Sequence, residues 1–134
     1  MIKVLNDVFP FKGFLAMTVW PLLFVKRKYE ARFGPVENRH ESIHGEQQKE
    51  LLCVGIAIAV ALVALGCGWW SLLVLPLFFW WYVVEWLVKW PIYGDSFTAY
   101  KNICFEREAF ANEGNMTYLS HRRPFAWMSF IIIK

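Results

Sequence analysis

The stretch LLCVGIAIAVALVALGCGWWSLLVLPLFFWWYVVEWLV, residues 51–88, decides the fold. Across these 38 residues the only ionisable side chains are Cys53, Cys67, Tyr82 and Glu85. At 1.5 Å rise per residue, that length suits two helical crossings of a hydrocarbon core about 30 Å thick. The first crossing is expected over about Leu51–Trp70 and the second over residues 71–88. Gly66, Gly68 and the Trp69–Trp70 pair supply the turn, where indole rings favour the membrane interface. The fold class is therefore read as all-α, an integral membrane helical protein built on a transmembrane hairpin.

The rest of the chain agrees with this reading. Of 134 residues 57% are hydrophobic and 19% aromatic, which is more apolar surface than a soluble domain of this size can hide. All 14 Lys and Arg lie in residues 1–50 or 89–134, on one side of the hairpin. The positive-inside rule makes that side cytoplasmic, with both termini there, in an inner or plasma membrane. The apolar residues 13–25 are too few to span, are interrupted by Pro21, and adjoin Lys26, Arg27 and Lys28. They are read as an interfacial or re-entrant helix, not as a signal peptide. The basic residues adjoin membrane segments and form no reading helix, so anionic lipid is the expected partner and nucleic acid is not. Cys53, Cys67 and Cys104 lack CxxC spacing and are read as small packing residues. The whole chain, 1–134, is taken as one membrane-embedded domain.

Immediately before the first crossing, His40-Glu41-Ser42-Ile43-His44 spells HExxH. Two His four residues apart on a helix present imidazoles on one face, and the Glu between them reaches a metal-bound water. Random placement of this composition gives the motif about 0.3% of the time. Gly34 and Pro35 suit a helix start, so a metal helix is expected over residues 35–66, running into the first crossing. His40, His44, Gln47 and Leu51 share a face, with Glu41 and Gln48 beside them, and Gln47 and Gln48 are placed to orient the ligands from behind. The plain structural reading is a solvated juxtamembrane helix in which Asn38 and Glu41 form a capping box.

A third ligand is expected from residues 96–112, read as one helix from a Ser96 cap to Asn112. On that wheel Glu108 shares a face with Phe97, Tyr100, Cys104 and Ala111, whereas Glu106 shares the opposite one with Asn102 and Glu113. A carboxylate within an apolar face is costly unless paired or ligated. Glu108 is therefore the expected third ligand and Glu106 the solvated alternative. Glu85, near the end of the second crossing, is open to three readings: a ligand, a hydrogen-bond partner of a ligand His, or an i,i+4 partner of Lys89. His121, beside Arg122 and Arg123, is read as an oxyanion stabiliser or as part of a lipid-facing basic patch.

With His40, Glu41, His44 and Glu108-Ala109-Phe110-Ala111-Asn112 in place, the chain resembles the gluzincin branch of zinc metallopeptidases. The Glu108–Asn112 string looks like the ExxA(D/N) motif of membrane-bound zincins related to the prenyl-protein endopeptidases. More closely, the chain resembles a family of small bacterial integral membrane proteins with an HExxH helix followed by a FEREA element. The resemblance implies Zn²⁺ held by His40, His44 and Glu108, with Glu41 catalytic and a peptide or membrane-protein substrate. Asn112 stands where many relatives have Asp. The chain is also expected to lack the large soluble lobe and the substrate-binding edge strand of most zincins. The rival expectation is a non-catalytic membrane scaffold or partner subunit that keeps the metal ligands without turnover.

Overall fold

The computed structural model describes residues 1–132 and is mostly helical. Helix α1 (Pro35–Ala64) carries the fold. Pro35 occupies the first helical position, and the Glu37 carboxylate accepts the Gly34 N–H at 2.9 Å, satisfying a donor that the helix start leaves free. The cap is thus made by Glu37, not by the Asn38–Glu41 pair. The N-terminal half of α1 buries His40, Ile43, His44, Gln47 and Gln48, while its C-terminal half exposes Ile56, Ile58, Val60 and Val63. Among the described residues α1 is the one helix long and apolar enough to cross a membrane alone.

After α1 the chain turns at Gly66 and Gly68, whose φ values of 85° and 69° fall in the region that favours glycine. Trp69 and Trp70 stand exposed at this turn. Residues 71–88, expected as one helical crossing, fall in a 3₁₀ segment (Gly68–Val74) followed by α2 (Leu77–Tyr93), the two bent by 62° to each other. Only together do they reach the length and apolarity of a span. Two local features account for the bend. Pro76 sits at the joint, where it cannot donate to a continuous helix. At Gly55 a Cβ would lie 3.0 Å from Val74 O, so the missing side chain lets the 3₁₀ segment lie directly on α1.

The segment expected as an interfacial or re-entrant helix, residues 13–25, is β structure. Strands β1 (Ile2–Asn6), β2 (Ala16–Val19) and β3 (Leu22–Lys26) form a sheet in the order β1-β3-β2, with β1 parallel and β2 antiparallel to β3. Pro21 breaks the apolar run into two short halves, each rich in the β-branched and bulky residues that favour strands. Leu23 and Val25 then alternate into the core with strand periodicity. The fold is therefore helical with a small sheet, and it does contain an edge strand, β2, next to α1. Gln48 ties the two together: its Nε2 donates to Thr18 O, and its Oε1 accepts the Trp20 N–H, both at 2.7 Å.

Residues 96–112, expected as one helix, divide into α3 (Ser96–Lys101) and α4 (Cys104–Asn112). The break falls at Asn102 and Ile103, where Ile103 is extended with ψ 137°. Beyond α4 a short helix α5 (Tyr118–His121) and a 3₁₀ turn (Ala126–Phe130) bring Trp127 into the core. That core joins Leu51, Phe78, Ile103, Cys104, Phe105 and Trp127, and the rings of Phe78 and Phe105 stack at 4.5 Å. Through it α4 is pinned between α1 and α2, which sets the position of the two acids that α4 carries.

Candidate metal centre

His40 and His44, one turn apart on α1, bring their Nε2 atoms to 3.1 Å. The Glu106 carboxylate from α4 closes the group: Oε2 lies 3.3 Å from His40 Nε2 and Oε1 3.3 Å from His44 Nε2. All three side chains are buried. Their ligand atoms are mutually close enough to hold one metal ion. Three donors each about 2.0–2.2 Å from a shared tetrahedral ion would be separated by about 3.3–3.6 Å, close to the spacing here.

The imidazole tautomers follow from what stands behind them. Gln47 Nε2 donates to Phe105 O at 3.1 Å and to Glu108 Oε2 at 3.0 Å, both acceptors only. Its Oε1 is therefore the atom 2.8 Å from His44 Nδ1, and that nitrogen must carry the proton. The Glu113 carboxylate, an acceptor, likewise requires a proton on His40 Nδ1, at 2.8 Å. Both Nε2 lone pairs then point at each other and at a carboxylate, an arrangement that is repulsive unless a cation sits among them. Glu106 Oε2 is buried and has no hydrogen-bond donor. Two imidazole nitrogens and one carboxylate, one of whose oxygens has no donor, form a group that could hold a metal ion.

The same field acts on protons. Burial disfavours the imidazolium of His44, but the facing Glu106 carboxylate outweighs it and pushes the pKa up to about 9. Burial likewise works against the Glu106 carboxylate, yet His44 and His40 hold it well below the usual carboxylate range. The site attracts positive charge whichever cation supplies it.

Glu41 lines the same cavity as His40, His44 and Glu106, and its Oε2 accepts the Thr18 hydroxyl at 2.8 Å. Strand β2 thus fixes the orientation of the Glu in the HExxH motif. Tyr82, on α2, donates to Glu106 Oε1 at 2.8 Å.

Glu108, the expected third ligand, faces away from the imidazoles. It is fully buried, with Oε1 accepting from Arg122 Nε at 2.6 Å and from the Tyr118 hydroxyl at 2.8 Å. Arg122 also reaches Glu50, at 2.5 Å. Glu106, expected to be solvated, is 3% exposed and is the acid grouped with the two imidazoles. The helical wheel went astray because it assumed one continuous helix. With the break at Asn102–Ile103, α4 is a nine-residue helix buried on more than one side. Its two acids, about 200° apart, both point inward and find different cations.

Glu85 is neither a ligand nor bonded to a ligand His; it pairs with Lys89 at 2.5 Å, the third of its readings. Together the two residues clamp the helix break. Lys89 Nζ donates to Asn102 O, while Glu85 accepts the Cys104 N–H and the Cys104 thiol, each at 2.9 Å. Of the remaining expected residues, Gln47 orients His44 and Gln48 holds β2. Asn112 Nδ2 bonds Glu108 O within its own helix. His121 is exposed, its ring nitrogen bonded to Thr117 O at 3.1 Å, and it does not line the cavity. Sequence reasoning missed Thr18, Tyr82 and Glu113. For Glu113 a signal existed, because it shares a helical face with Glu106 two turns away.

No protein-family model, no curated protein and no solved structure matches this chain.

Proposed function

We propose that the chain is a membrane-embedded zinc hydrolase, and specifically a metallopeptidase acting on membrane-proximal peptide segments at the cytoplasmic surface. The observation that carries the reading is the convergence of two Nε2 lone pairs and the orphaned Glu106 oxygen beside the Glu41 carboxylate. His40, His44 and Glu106 would hold the ion. A zinc ion there supplies Lewis-acid chemistry, making a water nucleophilic near neutral pH and polarising a carbonyl.

The protein's own groups do the rest. Glu41 takes a proton from the attacking water and returns it to the leaving amine. Thr18 aims the Glu41 carboxylate, while Glu113 and Gln47 accept the Nδ1 protons and so turn both Nε2 atoms toward the ion. Placement in the bilayer is supported by the apolar exposed half of α1, by the bent pair leading into α2, and by the absence of Lys and Arg from residues 51–88. The positive-inside rule then puts both termini in the cytoplasm.

The test is a metal assay paired with Glu41→Gln. Wild type purified without chelator should carry about one zinc per chain, and Glu41→Gln should keep the zinc while losing peptide hydrolysis. Zinc binding without any peptide hydrolysis by the wild type would leave a metal-stabilised membrane scaffold as the better description, and hydrolysis that survives Glu41→Gln would remove Glu41 from the mechanism.

A further inference from the structure

A cavity of about 380 Å³ opens directly onto the candidate metal centre. Its polar groups are gathered around His40, Glu41, His44 and Glu106. The remaining wall is built mainly from Phe11, Phe14, Met17, Phe78, Phe79 and Val83. The rim consists of Phe11 and Phe14 on the β1–β2 connection and Val83 on α2, all three exposed. Phe14 is braced edge-on against Tyr100 of α3, with ring centroids 5.5 Å apart. Phe78 is shared with the core, but the wall as a whole encloses open space and its rim residues are exposed.

We infer that this cavity is the specificity pocket of the site and takes one bulky uncharged side chain, aromatic or branched aliphatic, flanking the scissile carbonyl. The inference rests on the zinc-hydrolase reading and adds the substrate class to it. Charge decides against ionised side chains. The only ionisable groups at the polar end are already committed to the metal centre or to proton transfer, and the apolar wall would strip an acidic or basic side chain of water without pairing it. The volume of about 380 Å³ is ample for one aromatic or branched side chain with its adjoining backbone, and an acyl chain is the alternative occupant that the test separates. Position decides the attachment, because the apolar wall begins where the donor cluster ends, so a group seated there belongs to the atoms next to the reacting carbonyl. The rim beside Val83, on a flank of α2 that is apolar and exposed, suits a group handed over from an apolar phase.

Three hydroxamates test this on the full-length protein in detergent: acetohydroxamate, 3-phenylpropanohydroxamate and octanohydroxamate. Each presents the same metal-binding head, and metal-free protein supplies the baseline for detergent partition. With zinc bound, the phenylpropano compound should bind at least about tenfold tighter than acetohydroxamate, as expected for removing one aromatic side chain from water. Ala16→Trp and Val83→Trp place bulk into the cavity from opposite walls while keeping all the donors. Each zinc-loaded variant should bring the phenylpropano compound to within about twofold of acetohydroxamate. Equal binding of the two compounds to wild type would overturn the pocket assignment while leaving the metal reading intact. So would an octano compound about tenfold tighter than the phenylpropano one, which would assign the cavity to an acyl chain. Failure of the protein to take up zinc at all would defeat the metal reading, and the inference with it.

Discussion

Glu106 Oε2 lies 3.3 Å from His40 Nε2, buried and without a hydrogen-bond donor, while Glu108, two residues further on, is saturated by Arg122, Tyr118 and Gln47. The two acids share one helix and have exchanged the roles that a helical wheel assigns them. One keeps an oxygen without a donor and faces two imidazoles; the other accepts at both of its oxygens.

Substitution should separate these roles. Glu106→Gln removes a charged ligand and should lower zinc affinity by about a hundredfold, with modest change in stability. Glu108→Gln keeps all three donors. It breaks a buried ion pair and should cost about 3 kcal/mol of unfolding free energy, the low end for such losses, while zinc content stays near one per chain. Zinc titration and thermal unfolding of the two variants check both halves. A Glu108→Gln protein that folds normally but has lost zinc would return the ligand role to Glu108.

Zinc uptake should remain strongly pH-dependent well above the ordinary histidine range. In the metal-free protein the His44 pKa is raised to about 9, so below that pH the ion must displace a proton. Apparent affinity should rise about tenfold per pH unit from about pH 7 to about pH 9 and level off beyond. The sign for stability is the reverse. A raised folded-state pKa stabilises the metal-free fold fully below about 6.5, and that contribution fades as pH climbs through 9. Competition against a chelator of known pH behaviour measures the slope, and a plateau already at pH 7 would contradict it.

Much of the site is legible in the sequence, and the part that is not has a physical cause. The i,i+4 imidazoles, the Pro35 start of α1 and the Gln47 contact all follow from periodicity within one unbroken helix. The choice of third ligand depended on extending one helix register across Asn102–Ile103. What interrupts that register is tertiary: Lys89 and Glu85, from α2, satisfy the backbone groups exposed by the break. The N-terminal sheet was missed because an apolar run of 13 residues has too little period to distinguish a helix from two short strands. Pro21 marked the division between β2 and β3, but as a helix interruption it said nothing about pairing. The Thr18–Glu41 bond, which joins the sheet to the motif, was then out of reach.

Glu113 should matter for metal binding although it touches no metal. Its carboxylate fixes the proton on His40 Nδ1, and loss of such a partner typically costs 10–100-fold in affinity. Glu113→Ala is therefore expected to weaken zinc binding by about tenfold or more, and Glu113→Gln less, since an amide oxygen still accepts from Nδ1. Isothermal titration with zinc at one fixed pH compares the two. Identical affinities in wild type and Glu113→Ala would show that the His40 ring is held by its packing against Phe110 instead.

The helix break is the remaining control point, because it sets the direction in which Glu106 points. Lys89 is 3% exposed and holds Asn102 O at the end of α3, and Glu85 holds the first N–H of α4. If the clamp relaxes, residues 96–112 gain the option of the continuous helix that their sequence permits, and Glu106 rotates away from the imidazoles. Glu85→Gln retains an acceptor for the Cys104 N–H and should preserve the register, whereas Glu85→Leu removes both acceptors and should not. Cobalt(II) in place of zinc reports the difference directly, since its visible absorption depends on ligand number and symmetry. Glu85→Gln should reproduce the wild-type spectrum, and Glu85→Leu should show a weaker, shifted spectrum with affinity reduced by about tenfold or more. A purely stabilising role would lower the unfolding temperature of Glu85→Leu and leave the cobalt spectrum of its folded fraction unchanged. That result would detach the clamp from the metal centre.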